Sequence, residues 1–575
     1  MLDFDFDKML FTIGPEDHSA DRIKTILNEH PEVQFVSLVG IDIGGHGTDE
    51  KIPVRAFIKD IDKFLTEGVQ TDGSSVVLRD AVADFKKELM EILKANPYVF
   101  EYMDLDSADE IEELIVTSAT ELEFWVKTPD EQSDREQLTT AQELKEQYWK
   151  RTVGPVRTAL ERTLNILDRY GLEMEMGHKE VGGVKAKMGH SGHYDHIMEQ
   201  LEVDWKYSDA LQAADNEKQV KYIVRDIFRL HGLDVTFMAK PMEGVAGSGE
   251  HTHLGLAAKL KDGRVVSMFS SKDGKDFLNV IGYGALMGIL NNYEVINPFI
   301  SATNDAFNRL KPGFEAPVCT VTSMGHSVET PSRNRTVLAG LIREIGNPLA
   351  TRFELRSPNP NSNTYLVIAA SYMAMLDGIR AVVTAGKTPA ELEKSISKKK
   401  GEEDFYLETG REYRSEKDVF AHYTPEERDD IFGRPPETVW ENITAFDKYP
   451  EKLEIFKSGG VMTDIVLESY KEAIVSQWAT ELYNRIIPNA MDTVRGCRKL
   501  HNESATDYDI GMWAQISAQR DKIAKNTMNE FCILKKISDA LDRADYNLAS
   551  QLQLEAQREI RKLMDMYSSY KRNLL

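Results

Sequence analysis

At 575 residues the chain exceeds one ordinary domain, and its 41% hydrophobic and 29% charged residues are the balance of a soluble globular protein with a large core. Seventy basic against ninety-four acidic residues give a net charge of −24, which argues against nucleic acid or an anionic membrane as a main partner. Three cysteines, Cys319, Cys497 and Cys532, are too few and too scattered for a disulfide framework or a thiolate zinc site, so a reducing compartment is expected.

No basic segment followed by an apolar run opens the chain, and no stretch of about 18 apolar residues is read in it, so the expected location is cytoplasmic. Residues 1–110 read as a small α/β domain. Residues 21–29 have helical spacing, VQFVSLVGIDIGG is a β-rich run ending on paired glycines, and IPVRAFI can return beside it. DGSS at residues 72–75 has the composition of an Asx or ST turn. The following run, RDAVADFKKELMEIL, repeats apolar residues at helical intervals and is expected to pack on the hairpin-containing sheet.

From residue 111 to 480 strands and helices alternate as in a large α+β domain. TELEFWV places Glu121 and Glu123 on one face of a strand, with Leu122, Phe124 and Val126 on the other. Residues 127–146 are polar and read as a loop or short exposed helix. Tyr148 precedes an amphipathic helix at 156–172, and a core-facing position explains it as well as a site does. HKEVGG then carries His178 and Glu180, and EQLEVDW carries Gln200 and Glu202. Between them stand His190, His193 and His196 at every third position. That spacing suits a helical side and a second metal site, but Gly189 and Gly192 break helices, so a polar loop is preferred.

A helix at 218–230 leads into LDVTFMAKP and GVAGSGEHTHLGL, where His251 and His253 share a face against Thr252 and Leu254. Gly247 and Gly249 let backbone N–H groups approach a bound carboxylate. NRLKPGFEAP sets Arg309 and Glu315 on a Gly/Pro-bearing loop suited to closing over an intermediate that water would destroy. SRNR and LIR add Arg333, Arg335 and Arg343. In ATRFELRSPNPNSNTYL, Arg352, Glu354 and Arg356 alternate with Phe353 and Leu355, which by itself a solvated, salt-bridged strand would explain. The recurrence changes that reading, because three strands now offer carboxylates, imidazoles and guanidiniums to one side. Carboxylates prefer Mg2+ or Mn2+, neutral imidazole tolerates Mn2+, and Arg forks match phosphate oxygens, so the implied chemistry is phosphoryl transfer with metal. Residues 387–434 are polar, include Lys398, Lys399 and Lys400, and are expected to form a solvated connection. Residues 512–575 contain neither Gly nor Pro, and Ile516, Ile523, Phe531, Leu534, Ile537, Leu541, Leu548 and Leu552 recur at helical intervals, predicting two or more long helices.

DGSS, ELEF, HKEVGG, TFMAKP, GSGEHTH, NRLKPGFEAP, SRNR and RFELRSPNPNSNTYL occur in this order, and with them the chain resembles the glutamine synthetase family from about residue 33 to about 480. The resemblance implies an α+β fold. Residues 1–110 would be a β-grasp-like domain, 111–480 a catalytic domain with an antiparallel sheet and flanking helices, and 481–575 a helical extension beyond the usual bacterial core. It also implies ATP-dependent ligation of ammonia to glutamate in a homo-oligomer whose active sites are shared between neighbouring subunits.

By the same resemblance, Glu123, Glu180 and Glu202 hold one Mg2+ or Mn2+, and Glu121, His251 and Glu354 hold a second. His253, Arg335, Arg343 and Arg352 would face ATP. Gly247, Gly249, Arg309 and Arg356 would hold glutamate, with Tyr148 near the ammonium pocket, and Asp72 and Glu315 would bind and deprotonate ammonium. The chain departs from the family in three ways. Glu180 and Glu202 are 22 positions apart, Ala246 stands where the family has Asn, and Gly255 where it has Ser. A ligase of the same fold acting on another amine stays open, as does a non-catalytic scaffold. The extension carries none of the matched residues and is expected to pack at the periphery and serve subunit contacts.

Overall fold

A computed structural model describes residues 9–67, 73–129, 151–185, 196–241, 246–310 and 320–573, with backbone alone at 181–185, 196 and 197. Near the start, β1 (Phe35–Leu38) and β2 (Glu50–Pro53) pair antiparallel. Only Ile52 and Pro53 of IPVRAFI are strand, since Val54–Lys59 turns into helix. The main sheet takes β3 (Ile111–Pro129), β4 (Met174–Lys185), β5 (His196–Trp205), β6 (Ser208–Asp209), β7 (Asp234–Thr236) and β8 (Glu250–Leu260). It is completed by β9 (Val265–Ser267), β10 (Thr322–Ser323), β11 (Ala339–Glu344) and β12 (Asn347–Leu355). Its path runs β10, β11, β12, β8, β3, β5, β4, antiparallel at every step except β10 to β11.

An antiparallel sheet can keep one face polar while the other is packed, and here the alternation of single residues decides which is which. The helices that cover it are α1 (Ser74–Ala95), α2 (Gly154–Arg169), α3 (Ala210–Leu230), α4 (Val280–Asn291), α5 (Asn304–Arg309) and α6 (Thr364–Thr384). Beyond them lie α7 (Asp464–Glu481), α8 (Asp507–Ala524), α9 (Ile533–Asp542) and α10 (Tyr546–Arg572). Leu122, Phe124 and Val126 of β3 join Leu201, Val203 and Trp205 of β5 against Leu160 of α2 and Val220, Val224 and Phe228 of α3. Each large side chain buried this way contributes about 1.5–3 kcal/mol. Farther along the sheet, Leu254 and Phe353 enter the larger core with α1, α4 and α6.

Three expectations change at this level. The α1 helix turns Val77, Leu78, Ala81, Phe85 and Leu89 into the main core, where Phe85 meets Tyr372 of α6 at 5.3 Å between ring centroids. The small core of the hairpin region, with Leu27, Phe57 and Ile61 buried, is too slight to cover a 22-residue helix. Among the described residues one helix, α6, is long and apolar enough to cross a membrane, but 83% of its apolar window is buried inside the protein. Residues 387–434 are not a solvated connection, because Leu392, Ile396, Leu407, Tyr413, Val419 and Phe432 are buried. Glu416 within that stretch accepts the Met324 and Gly325 amides at 3.0 Å each.

Behind the polar face of the sheet lies a buried ionic cluster. Lys221 of α3 contacts Glu217, donates to Glu250 Oε2 at 3.0 Å and to the Pro360 carbonyl at 2.6 Å. Thr364 donates to Glu250 Oε1 at 2.8 Å and to Glu217 Oε2 at 3.2 Å. Burial, and then the neighbouring Glu217 charge, push the Glu250 carboxyl up to about 8. Burial also opposes ionisation of Glu217, yet the Lys221 charge holds it below the ordinary carboxylate range. Two carboxylates thus share one lysine, tying α3, the start of β8 and the start of α6 together.

The C-terminal region forms the predicted helices and packs on its own core, including Ile516, Ile523, Leu534 and Leu563. Its apolar face also finds partners within the chain. Tyr546 of α10 stands 5.2 Å from Trp440 and 6.0 Å from Trp478, between ring centroids. Two turns on, buried Gln553 accepts from Trp478 Nε1 at 3.0 Å and donates to Asn304 Oδ1 of α5 at 2.8 Å. The tail is therefore fastened to the helix that carries Arg309.

Two substitutions test these fastenings. Gln553→Leu strands the Trp478 donor and the Asn304 acceptor in a buried place and should lower unfolding free energy by about 1–3 kcal/mol. Lys221→Met leaves Glu217 and Glu250 without their cation and should cost about 3–5 kcal/mol. Denaturant titrations followed by circular dichroism read both, and unchanged midpoints would show that neither link bears on folding.

Candidate active site

The polar face is organised where β8 parts from β3. Glu121 pairs with His251 of β8 on one side and Asp204 of β5 on the other, whereas Glu123 pairs with Glu202 of β5 and lies just past Glu250, where β8 begins. The bend that takes the chain away brings the Gly249 N–H to Glu123 Oε2 at 2.8 Å, and the Glu123 N–H to the Gly249 carbonyl at 3.1 Å. Side-chain alternation then sets Glu121 and Glu123, Glu202, His251 and His253, and Glu354 along one face, the reverse of Leu122, Val203, Leu254 and Phe353.

Two donor triads result. Glu121, His251 and Glu354 each offer a ligand atom within 4.8 Å of the others, and so do His178, Glu180 and Glu202. In the first, His251 Nδ1 is 2.9 Å from Glu121 Oε2 and 3.5 Å from Glu354 Oε1. Glu121 keeps 32% of its side chain exposed against 8% for His251, so the triad opens on the Glu121 side. In the second, His178 Nε2 is 3.4 Å from Glu202 Oε1, and His178 Nδ1 is 3.8 Å from Glu180 Oε2. His178, given no role by the sequence, thus joins Glu180 and Glu202. Glu123 stands between the triads, with Oε2 taken by the Gly249 amide and by Gln200 Nε2 at 2.8 Å, and Oε1 4.0 Å from His251 Nε2.

The charges are deeply unbalanced. Burial, then the charges of Glu123, Glu121, Glu180 and Asp204, push the Glu202 carboxyl well above the carboxylate range. Burial and the Glu121 charge raise Asp204 to about 7. Burial works against Glu121 as well, but His253 and His251 beside it hold that carboxyl well below its usual range. Oxygen-rich donors with one or two imidazoles suit Mg2+ or Mn2+, and cations of that kind would relieve the repulsion among these carboxylates.

Arginines and glycines finish the site. Arg352 Nε donates to His253 Nδ1 at 3.1 Å; an arginine cannot accept, so Nδ1 is unprotonated and the Nε2 proton points at Glu121 Oε1, 2.8 Å away. Arg356 contacts Glu354 and gives its Nε to the Arg335 carbonyl at 3.2 Å. Arg309 is buried and donates to the Ser357 and Arg356 carbonyls at 2.9 and 3.1 Å. It passes tightly over the glycine loop, since a Cβ on Gly247 would lie 2.5 Å from Arg309 Cγ, and one on Gly249 would lie 2.8 Å from Arg309 Nη2 and 2.9 Å from His251 Nε2. Close approach, not unusual backbone angles, is what these glycines provide. At Gly255 a Cβ would stand 2.6 Å from Thr117 Oγ1, so a hydroxyl from the paired strand already fills the space a serine would take.

The remaining predicted residues are placed less centrally or not at all. Arg343, at an irregularity in the β11–β12 pairing, lies over the Phe277 ring at 5.1 Å and donates to the Val328 carbonyl at 2.7 Å, away from both triads. Arg335 is exposed next to Arg356. Asp72, Tyr148 and Glu315 lie outside the described residues, as do His190 and His193, while His196 is described by its backbone alone. Asp204 was missed, although its place two residues after Glu202 in a strand was the available signal.

Comparison with known proteins bears on this geometry. Residues 104–409, which include every member of both triads, match the family model described as glutamine synthetase, catalytic domain. A glutamine synthetase of Clostridium saccharobutylicum is 36% identical over 234 residues, covering 40% of this chain and 44% of the relative. One from Pyrococcus woesei is 29% identical over 381 residues, 61% of this chain and 76% of the relative. One from Sulfolobus acidocaldarius is 33% identical over 230 residues, 40% and 43% of the two chains. The family model spans more than half of the chain, and the chain belongs to the glutamine synthetase family.

Proposed function

We propose that this chain joins ammonia to L-glutamate with ATP, giving glutamine, ADP and phosphate through a γ-glutamyl phosphate. The pair of donor triads on one sheet face, separated by Glu123, supports this most directly, because two divalent cations side by side suit a transferring phosphoryl group. Bound Mg2+ or Mn2+ would neutralise phosphate oxygens and lower the repulsion that an attacking carboxylate meets. The chain's own residues would do the rest.

Arg352 donates to His253 Nδ1 and so turns the other ring nitrogen, Nε2, to Glu121. Arg335 and Arg352 are assigned to the phosphates; Arg343 would have to leave Phe277 and the Val328 carbonyl to reach them. Arg309 and Arg356, braced on backbone carbonyls, are assigned to the glutamate carboxylate. Phosphorylation turns a poor leaving oxygen into phosphate. Asp72 and Glu315 would take a proton from ammonium, freeing the lone pair that forms the new C–N bond as phosphate departs. The matching residues further suggest a cytoplasmic homo-oligomer with sites completed by a neighbouring subunit. For the rival ligase of another amine, Ala246 and the long insertion are the remaining support, since Thr117 accounts for Gly255.

ADP release with glutamate, Mg2+ or Mn2+, and a panel of amines tests the proposal. Ammonium should be preferred, and Glu121→Gln should cut kcat/KM at least about 100-fold, since it removes a charged ligand and the acceptor of two imidazoles. Preference for another amine would favour the rival, and full activity in Glu121→Gln would remove the first triad from the chemistry.

A further inference from the structure

Besides Glu123, the sheet face carries a second acid that neither triad contains. Asp204 lies on β5 two residues after Glu202, so it shares that residue's face, and the register sets it opposite Glu121 of β3. On its other side the β4 partner is Met176, an exposed residue whose thioether offers no hydrogen-bond donor. Asp204 therefore sits between the Glu121–His251–Glu354 triad and the His178–Glu180–Glu202 triad. Its side chain is 13% exposed, and Oδ1 is shut from solvent with no hydrogen-bond partner among the described residues. Nothing in the fold requires a carboxylate there, because the core-facing neighbours Val203 and Trp205 do the packing.

The distances give the carboxylate a use. His178 Nε2 is 3.4 Å from Glu202 Oε1 and 4.0 Å from Asp204 Oδ2, so one imidazole nitrogen faces both acids. Ligands about 2.0–2.2 Å from one cation stand roughly 3 Å apart when adjacent and about 4 Å or slightly more when opposite, and these separations fall in that range. Resting on the metal-centre reading above, we infer that Asp204 is a further ligand of the divalent cation held at the His178–Glu202 end of the site. The added carboxylate raises the ligand charge there, so this end binds its cation more tightly than it would through His178, Glu180 and Glu202 alone.

The test is equilibrium Mn2+ binding to the full chain, with free Mn2+ measured by electron paramagnetic resonance. Asp204→Asn keeps the shape and removes the charge. It should weaken one class of Mn2+ sites by about 10-fold or more and leave the other unchanged, whereas Glu121→Gln should weaken the opposite class. Metal-free Asp204→Asn should also unfold at a higher temperature than the parent and gain less from added Mn2+, because a repelling charge is gone. Asp204→Ser is the second variant should the amide disturb β5. Binding isotherms of both variants that superimpose on the parent's overturn the inference and leave the metal-centre reading standing. A parent chain that binds no Mn2+ overturns both.

Discussion

Carboxylates crowded on one face of a sheet are the constraint that the rest of this protein answers. Glu121, Glu123, Glu180, Glu202, Asp204 and Glu354 gather around three imidazoles, and two like charges 4 Å apart near a protein surface repel by about 4 kcal/mol. No fold keeps such a set together for stability. The apolar reverse of the same strands provides the counterweight, with Phe124, Val203, Leu254 and Phe353 packed beneath. The carboxylate face is cheap to hold only when cations share it, so packing, electrostatics and chemistry meet in the same few residues.

Support for the site comes from well outside it. The Glu217–Lys221–Glu250 cluster fixes the first residue of β8, immediately beside His251. Arg309 is locked between the glycine loop and the carbonyls of Arg356 and Ser357, and the helix that bears it is held at its other end by Gln553 of the C-terminal region. The extension is thus continuous with the arginine assigned to substrate through one six-residue helix. Part of its apolar face is buried within the chain, where Tyr546 meets Trp440 and Trp478.

Much of this was legible in the residues because strands write their faces in single-letter alternation. Glu121 and Glu123, His251 and His253, and Arg352, Glu354 and Arg356 are each spaced by two, and the motif order supplied the family. What alternation cannot show is which strands become neighbours. His178 gains meaning only once β4, β5 and β3 lie side by side, and the spacing of Asp204 two residues after Glu202 shows its face but not the strands it meets. The stretch from 387 to 434 misled for a different reason: apart from Leu392 and Ile396, which share one helix face, its buried residues Leu407, Tyr413, Val419 and Phe432 are far apart, so a folded layer read as a solvated one. The C-terminal helices were plain from their periodicity, but their partners, Asn304 and Trp478, lie far away in the sequence.

The central claim is that the crowded face exists to hold two divalent cations side by side. Anomalous diffraction at the manganese edge, from crystals of the full chain grown with Mn2+, tests it directly. The account predicts two strong peaks, one among Glu121, His251 and Glu354 and one among His178, Glu180 and Glu202 with Glu123 between them. A sheet face without peaks at saturating Mn2+, with the carboxylates in place, would contradict it.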